Sequence, residues 1–267
     1  MVTFGMRAPL GQHFLKSPSA LRSLSQAIPL SKEVFVVEVG PGKGALTAYL
    51  LRTGASVLAI ERDKTLIDGL QNRFAEEVAS GQVRIVAGDV RDQEWMKHLT
   101  PPYVIVANIP YYLTSSLLRH LLSSEKQPQA VALMVQKEIA ERVVMRDGKA
   151  SLLSLSVHLF GKPKLLQTVP KTAFSPQPSV ASAILTITDI HAPPQHVRDA
   201  FFPLIKTAFR EKRKQIGKKF AGDTKVLDLL RQHHISAASR AEDIPFSVWY
   251  AIAEHMSRTE GRGTIGL

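Results

Sequence analysis

The sequence predicts an α/β fold: a mostly parallel, Rossmann-like sheet of seven strands flanked by helices, followed by a small all-helical C-terminal domain. Three observations carry this. Short apolar runs alternate with helical-period segments from Val34 to Val135, a cluster of glycines sits where the first run ends, and from Val197 to about Met256 the pattern is helical alone. Such alternation implies right-handed crossovers and a ligand crevice outside the carboxyl ends of the strands.

Each element has a local reason. Residues Met1 to Leu15 are a polar and aromatic arm holding Arg7 and L-G-Q-H-F-L, and Ser17-Pro18 then opens a helix to Ile28 as N-cap and first-turn proline. Val34 to Val39 reads as a strand buried on both faces and runs into Gly40, Gly42 and Gly44, after which a helix continues to about Arg52. Strand Ser56 to Ile60 is closed by Glu61, helix Lys64 to Ala79 follows, and strand Val83 to Val86 has Asp89 just beyond its end. Strand Tyr103 to Ala107 ends in N-I-P-Y-Y, and then come helix Ser115 to Leu122, strand Ala130 to Val135 and helix Gln136 to Met145. After helix Ala150 to Phe160, the segments Lys164 to Val169 and Ser182 to Thr188 form a closing strand pair around F-S-P-Q-P-S-V. The proline-paired stretch Asp189 to His196 reads as a linker.

Composition bounds the function. A chain of 267 residues with 45 % hydrophobic content supports a sizeable core. Lys+Arg 34 against Asp+Glu 23 leaves a formal charge of +11, which points to polyanionic partners and nucleic acid before an anionic membrane. No apolar run approaches the roughly eighteen residues of a membrane span, and no secretory pattern opens the chain, so a soluble, unsecreted, cytoplasmic protein is expected; a monomer is expected as well. With no cysteine, and no histidine pair at helical spacing among nine, no metal is expected.

The glycine loop is the candidate ligand site. Glycines at a strand-to-helix junction allow positive φ and close approach of a ligand, and the amides opening the next helix are expected to point outward as donors. Dinucleotide sites use G-x-G-x-x-G, whereas Glu38 to Gly44 reads E-x-G-x-G-x-G. Glu61, roughly twenty residues on, stands where a nucleotide-type site places a carboxylate on ribose hydroxyls. Alternative readings stay open: a glycine turn without ligand, an ordinary strand-end turn for Asn108 to Tyr111, a helix N-cap for Asp89, and a core aromatic for Phe174. Against a merely structural reading, the glycines, Glu61, Asp89 and Asn108 all fall at the tips of successive strands.

The loop pattern resembles the S-adenosylmethionine loop of class I methyltransferases. In order, L-G-Q-H-F-L, E-V-G-P-G-K-G-A-L-T, Glu61, G-D-V, N-I-P-Y-Y, M-V-Q-K-E-I-A-E-R and F-S-P-Q-P-S-V-A-S-A resemble the KsgA-type ribosomal RNA dimethyladenosine transferases over nearly the whole chain. His13 stands where that family often has Asn, and E-K-R-K-Q-I from Glu211 replaces its usual basic run. The resemblance implies a catalytic domain over residues 1–189, binding S-adenosyl-L-methionine, and a helical RNA-binding domain over 190–267. It implies dimethylation of two adjacent adenines in a 3′-terminal hairpin of 16S RNA within an immature small ribosomal subunit. Large-subunit RNA, as for macrolide-resistance enzymes, and a non-catalytic assembly or transcription factor are the alternatives. Cofactor contacts are implied for His13, Leu15, Gly40, Gly42, Gly44, Glu61, Asp89 and Asn108, with Asp89 accepting from the cofactor's adenine amine. Phe174 is implied to close on the target base opposite Tyr111.

The chemistry asks for the same residues. An adenine amine is a poor nucleophile because its lone pair is delocalised, and acceptors aimed at its hydrogens favour the pyramidal form in which that pair is free. The Asn108 side-chain oxygen and the Ile109 carbonyl can be those acceptors, Pro110 stiffens the turn, and Tyr111 offers a π-face. In the C-terminal domain, Arg210, Lys212, Arg213, Lys214, Lys218 and Lys219 against Glu211 form a basic run suited to phosphates.

Overall fold

The computed structural model describes residues 13–99, 102–211 and 214–260. Packing divides the chain into two compact units: one runs up to Ala140 and resumes over Pro163–Ile190, and the other consists of Glu141–Lys162 and the chain from His191 onward. The expected boundary at 189/190 therefore has a second crossing before it. Residues 141–162, assigned above to the first domain, pack with the helical segment because they contain an apolar helix whose Leu155, Val157, Leu159 and Phe160 are buried.

The first unit opens with the short strand β1 (Phe14–Leu15) and helix α1 (Pro18–Ser25), where the Ser17 hydroxyl accepts from the Ala20 amide at 3.4 Å and Pro18 occupies the first turn. It continues through β2 (Phe35–Val39), α2 (Ala45–Leu51), β3 (Ser56–Glu61), α3 (Lys64–Arg73), α4 (Ala75–Ala79), β4 (Val83–Ala87), β5 (Tyr103–Asn108), α5 (Thr114–Ser123) and β6 (Ala130–Gln136). Helix α6 (Lys137–Val143) leads to the second unit's α7 (Leu152–Phe160), and the chain returns as β7 (Lys162–Val169), β8 (Phe174–Ser175) and β9 (Ser182–Thr188).

Among the described residues the large sheet has seven strands in the order β4-β3-β2-β5-β6-β9-β7. β2 pairs in parallel with both β3 and β5, so the chain builds outward through β3 and β4 and then reverses to lay β5 on the other side of β2. That reversal opens a crevice at the carboxyl ends of β2 and β5. β6 continues the parallel run with Asn108 opposite Met134, and β9 then enters antiparallel with Leu133 opposite Leu185. Core strands such as Val36–Val37, Leu58–Ala59 and Ile105–Ala107 are covered on both faces, which is why they are continuously apolar.

Two features lie outside the expected pattern. β1 pairs antiparallel with β8, Phe14 opposite Ser175 and Leu15 opposite Phe174, a contact across some 160 residues of chain that no local periodicity announces. The helix expected over Lys64 to Ala79 breaks at Phe74 (φ −114°, ψ 34°), where neither proline nor glycine stands. The break turns the Phe74 ring inward against Gly44, where an added Cβ would come within 2.5 Å of the ring. Tertiary packing overrides helix propensity there, since fully burying a phenylalanine contributes roughly 1.5–3 kcal/mol and helices in proteins owe most of their stability to packing.

The second unit adds α8 (Gln195–Arg210), α9 (Ile216–Lys219), α10 (Thr224–Gln232) and α11 (Phe246–Glu260) to α7. Val197, Phe201, Leu204 and Ile205 of α8 and Val248, Trp249 and Ile252 of α11 are buried, with Phe201 meeting Phe246 edge-on at 6.1 Å. Among the described residues no helix is long and apolar enough to cross a membrane.

Candidate active site

A cavity of about 340 Å³ lies at the carboxyl ends of β2, β3, β4 and β5, within the first unit. Its wall holds His13, Leu15, Gly40, Gly42, Glu61, Asp89, Asn108, Ile109, Pro110, Tyr111 and Phe174, which is the predicted set with one exception. Gly44 is not part of the wall: it caps α2 in a left-handed conformation (φ +78°) and leaves room for Phe74. Residues 1–12, including Arg7 and the first part of L-G-Q-H-F-L, lie outside the described residues.

The glycine loop behaves differently from an anion cradle. Its amides are taken within the protein: Gly40 donates to the Ile60 carbonyl at 2.9 Å, Gly42 to Glu61 Oε2 at 2.9 Å and Gly44 to the Pro41 carbonyl at 2.9 Å. The glycine amides are therefore engaged within the protein, and the helix-opening amides, for which outward donors are expected, begin beyond them with the seven-residue α2. Positive φ at Gly40 and Gly42 serves to fold the loop onto the strand ends; Gly40 has open space where a Cβ would stand, whereas at Gly42 the Phe14 ring would meet an added Cβ at 3.1 Å.

Acid lines the floor instead. Glu61, 3 % exposed, accepts from the Gly42 amide and, through Oε1, from the Asp63 amide at 2.8 Å, so its carboxylate is fixed by two backbone donors. Glu38, 1 % exposed, accepts from the Thr47 hydroxyl at 2.6 Å, and burial pushes its pKa up to about 8, with the Thr47 hydrogen bond opposing and the charge of Glu61 adding to the rise. Glu38 was not singled out in the sequence beyond its place in the motif; the available signal was a carboxylate inside an otherwise apolar strand.

Asp89 is in the wall but already engaged. Its Oδ1 accepts from the Arg91 amide and Arg91 Nε, each at 2.9 Å, and Arg62 Nε approaches Oδ2 at 3.5 Å. The Arg91 hydrogen bond holds its pKa down at about 2. An incoming amine must share this carboxylate with two guanidinium groups.

At the end of β5, Asn108 Nδ2 donates to the His13 carbonyl at 3.3 Å, which leaves the side-chain oxygen as the acceptor end. A 3-10 turn over Tyr111–Leu113 follows Pro110. The Tyr111 hydroxyl bonds the buried Ser182 hydroxyl at 2.7 Å, fixing the ring, and burial raises its pKa. The His13 ring stacks on Tyr111 with centroids 5.8 Å apart and donates from Nδ1 to the Pro176 carbonyl at 2.8 Å. Phe174, 1 % exposed, is a core aromatic that also forms part of the wall.

The donor set fits an adenosyl sulfonium better than a pyrophosphate. Two buried carboxyl groups, one of them held by backbone amides, and apolar walls from Leu21, Leu46, Ile60 and Val90 suit a ligand with positive charge and an aromatic base.

The basic run of the second unit also divides. Lys219 is only 12 % exposed and donates to the Thr207 carbonyl and to Glu211 Oε2, each at 3.0 Å, while Lys214 lies 3.5 Å from the same carboxylate. Lys219 thus ties α9 to the end of α8, whereas Arg210, Lys214 and Lys218 keep outward positions; Lys212 and Arg213 lie outside the described residues.

The comparisons with known proteins bear on the whole chain. The family model "Ribosomal RNA adenine dimethylase" matches residues 3–258. The "Ribosomal RNA small subunit methyltransferase A" of Dehalococcoides mccartyi strain CBDB1 is 37 % identical over 259 residues, covering 92 % of this chain and 87 % of that protein. That of Synechococcus sp. strain RCC307 is 35 % identical over 265 residues, covering 92 % and 94 %. Among solved structures, a dimethyladenosine transferase from Plasmodium falciparum superposes with a TM-score of 0.75 at 25 % identity, over 93 % of this chain and 98 % of that one. The 23S rRNA methyltransferase ErmE shares the fold, with a TM-score of 0.78 at 20 % identity over 90 % and 98 %. A cavity walled by these motifs, on this sheet, in a chain matched almost end to end, identifies the protein: it belongs to the ribosomal RNA adenine dimethylase family and is an rRNA adenine dimethyltransferase.

Proposed function

We propose that the chain uses S-adenosyl-L-methionine to place two methyl groups on the exocyclic amine of each of two adjacent adenines in a 3′-terminal hairpin of 16S RNA, within an immature small ribosomal subunit. The observation that carries this reading is the meeting of Asn108, the Ile109–Tyr111 turn, the glycine loop and Glu61 around one cavity. The names of the curated relatives support the small subunit as the source of the RNA.

The cofactor, when bound, supplies an electrophilic methyl group on a sulfonium. Glu61, its carboxylate already oriented by Gly42 and Asp63, holds the ribose hydroxyls. His13, Leu15 and the main chain at Gly40 and Gly42 shape the rest of that subsite, and Asp89 receives the adenine end beside Arg91. The target base, turned out of its helix, lies on Tyr111 with Phe174 on the opposite side. The Asn108 oxygen and the Ile109 carbonyl accept its amino hydrogens, which favours the pyramidal nitrogen, and the apolar walls exclude water. Arg210, Lys214 and Lys218 contact RNA phosphates without reading sequence.

Incubation with radiolabelled cofactor and undermethylated small subunits, large subunits or naked RNA tests the proposal. Label on two neighbouring adenines of the small subunit is the expected result. Label on large subunits alone transfers the protein to the other substrate class, and binding of cofactor and RNA without label on any substrate indicates an assembly factor.

A further inference from the structure

Two carboxyl groups line the floor of the cavity, and they are built differently. Glu61 has a backbone amide on each oxygen, which fixes its position. Glu38, among the described residues, is held only by Thr47, whose hydroxyl donates to Oε2 at 2.6 Å and whose amide approaches the same group. Both are almost fully buried, and both face the space in which a cationic ligand would lie.

Resting on the cofactor assignment above, we infer that Glu38 reads the charge of the cofactor: it is neutral in the free protein, ionises with loss of one proton to solvent when S-adenosylmethionine binds, and takes a proton back once the sulfonium has become a thioether. Burial beside the Glu61 charge keeps the free-protein carboxyl protonated at neutral pH, with a pKa of about 8. A nearby sulfonium and ammonium favour the ionised form, so binding and deprotonation are linked. Neutral product lacks the sulfonium and therefore much of this gain.

The other charged or titratable groups sharing the cavity do not substitute for Glu38. Asp89 is committed to Arg91 and Arg62, and Lys43 stands 5.4 Å over the Phe14 ring. His13 donates to the Pro176 carbonyl, Tyr111 bonds Ser182, and Lys16 and Tyr112 are exposed. Glu61 is the one whose charge bears on Glu38, and it acts in the direction of protonation.

The protons balance. Binding converts the Glu38 carboxyl into a carboxylate plus one proton in solution. Methyl transfer then removes one proton from the adenine amine while Glu38 regains one. The single proton that methylation of a neutral amine must release therefore leaves at the binding step, and the product complex reverts to a neutral floor that holds the thioether less tightly than the sulfonium.

Titration calorimetry of the full chain with S-adenosylmethionine and with S-adenosylhomocysteine, at pH 7 in two buffers of different ionisation enthalpy, tests this. The expected result is release of close to one proton with the sulfonium and much less with the thioether. Affinity for the sulfonium should rise about tenfold per pH unit as pH approaches 8 from below and level off above it, while the thioether stays nearly flat. Glu38→Gln keeps an acceptor for Thr47 and should abolish both the proton release and the slope. Saturable sulfonium binding by the wild-type protein without proton release overturns the inference and leaves the proposed function standing. Release that persists in Glu38→Gln overturns the assignment to this residue. Absence of saturable binding of either compound overturns the cofactor reading itself.

Discussion

Asn108 and Tyr111 belong to one short turn yet do separable work, and their hydrogen bonds show how. Asn108 is held by the His13 carbonyl through its amide nitrogen, so Asn108→Ala removes an acceptor that matters most as the amine pyramidalises. Turnover should drop by roughly two to three orders of magnitude with cofactor affinity changed far less. Tyr111→Ala removes a stacking surface worth about 1–3 kcal/mol, and because the monomethylated amine has one hydrogen left for two acceptors, the second transfer should suffer more than the first. Mass spectrometry of digested RNA should then show monomethyladenine accumulating. Tyr111→Phe should retain dimethylation but lose about 1 kcal/mol of stability, because the buried Ser182 hydroxyl loses its partner. Near-normal dimethylation by Asn108→Ala sinks the proposed mechanism.

The glycine loop and the helix it opens depend on an element far along the chain. Gly44 pairs a left-handed backbone with direct contact to Phe74, whereas Gly40 has a similar φ of +67° and nothing within 4 Å of an added Cβ. Gly40→Ala should therefore cost only the backbone term, about 1–2 kcal/mol, while Gly44→Ala adds overpacking of about 1–3 kcal/mol more. Thermal unfolding of the two variants checks this; equal losses contradict the packing role of Phe74. The E-x-G-x-G-x-G spacing was legible as a loop and as distinct from a pyrophosphate motif. The separate tasks of its glycines were not, because what Gly44 touches is set by where α3 breaks.

The charge of +11 is a property of the whole molecule, and its consequence is electrostatic attraction to RNA that salt weakens. Affinity for rRNA should fall steeply from about 50 to 200 mM salt, with the slope shallower after Arg210, Lys214 and Lys218 are changed to Gln together. Lys219→Gln should behave differently, costing stability with little change of slope, since that ammonium spans Thr207 and Glu211. Filter binding over a salt series separates the two; a flat response to salt in the wild-type protein removes the electrostatic account of RNA binding.

The order of strands and helices, the polar residues at successive strand ends, the Ser17-Pro18 helix start and the Asn108–Tyr111 turn could all be read from the chain, because periodicity, caps and turn chemistry are local properties. Other features come from pairings between distant segments. The reversal of strand order at β2, the insertion of β9 beside β6, the β1–β8 ribbon and the grouping of residues 141–162 with the helical unit have no local signature. Glu38 shows the difference within one residue. Its side chain is an acid in an apolar strand on the page of the sequence, but its neutral state and its place beside Glu61 arise only when β2 and β3 align and Thr47 folds back over it, since a carboxyl's proton is held by burial and neighbouring charge, both of which exist only once the chain is packed.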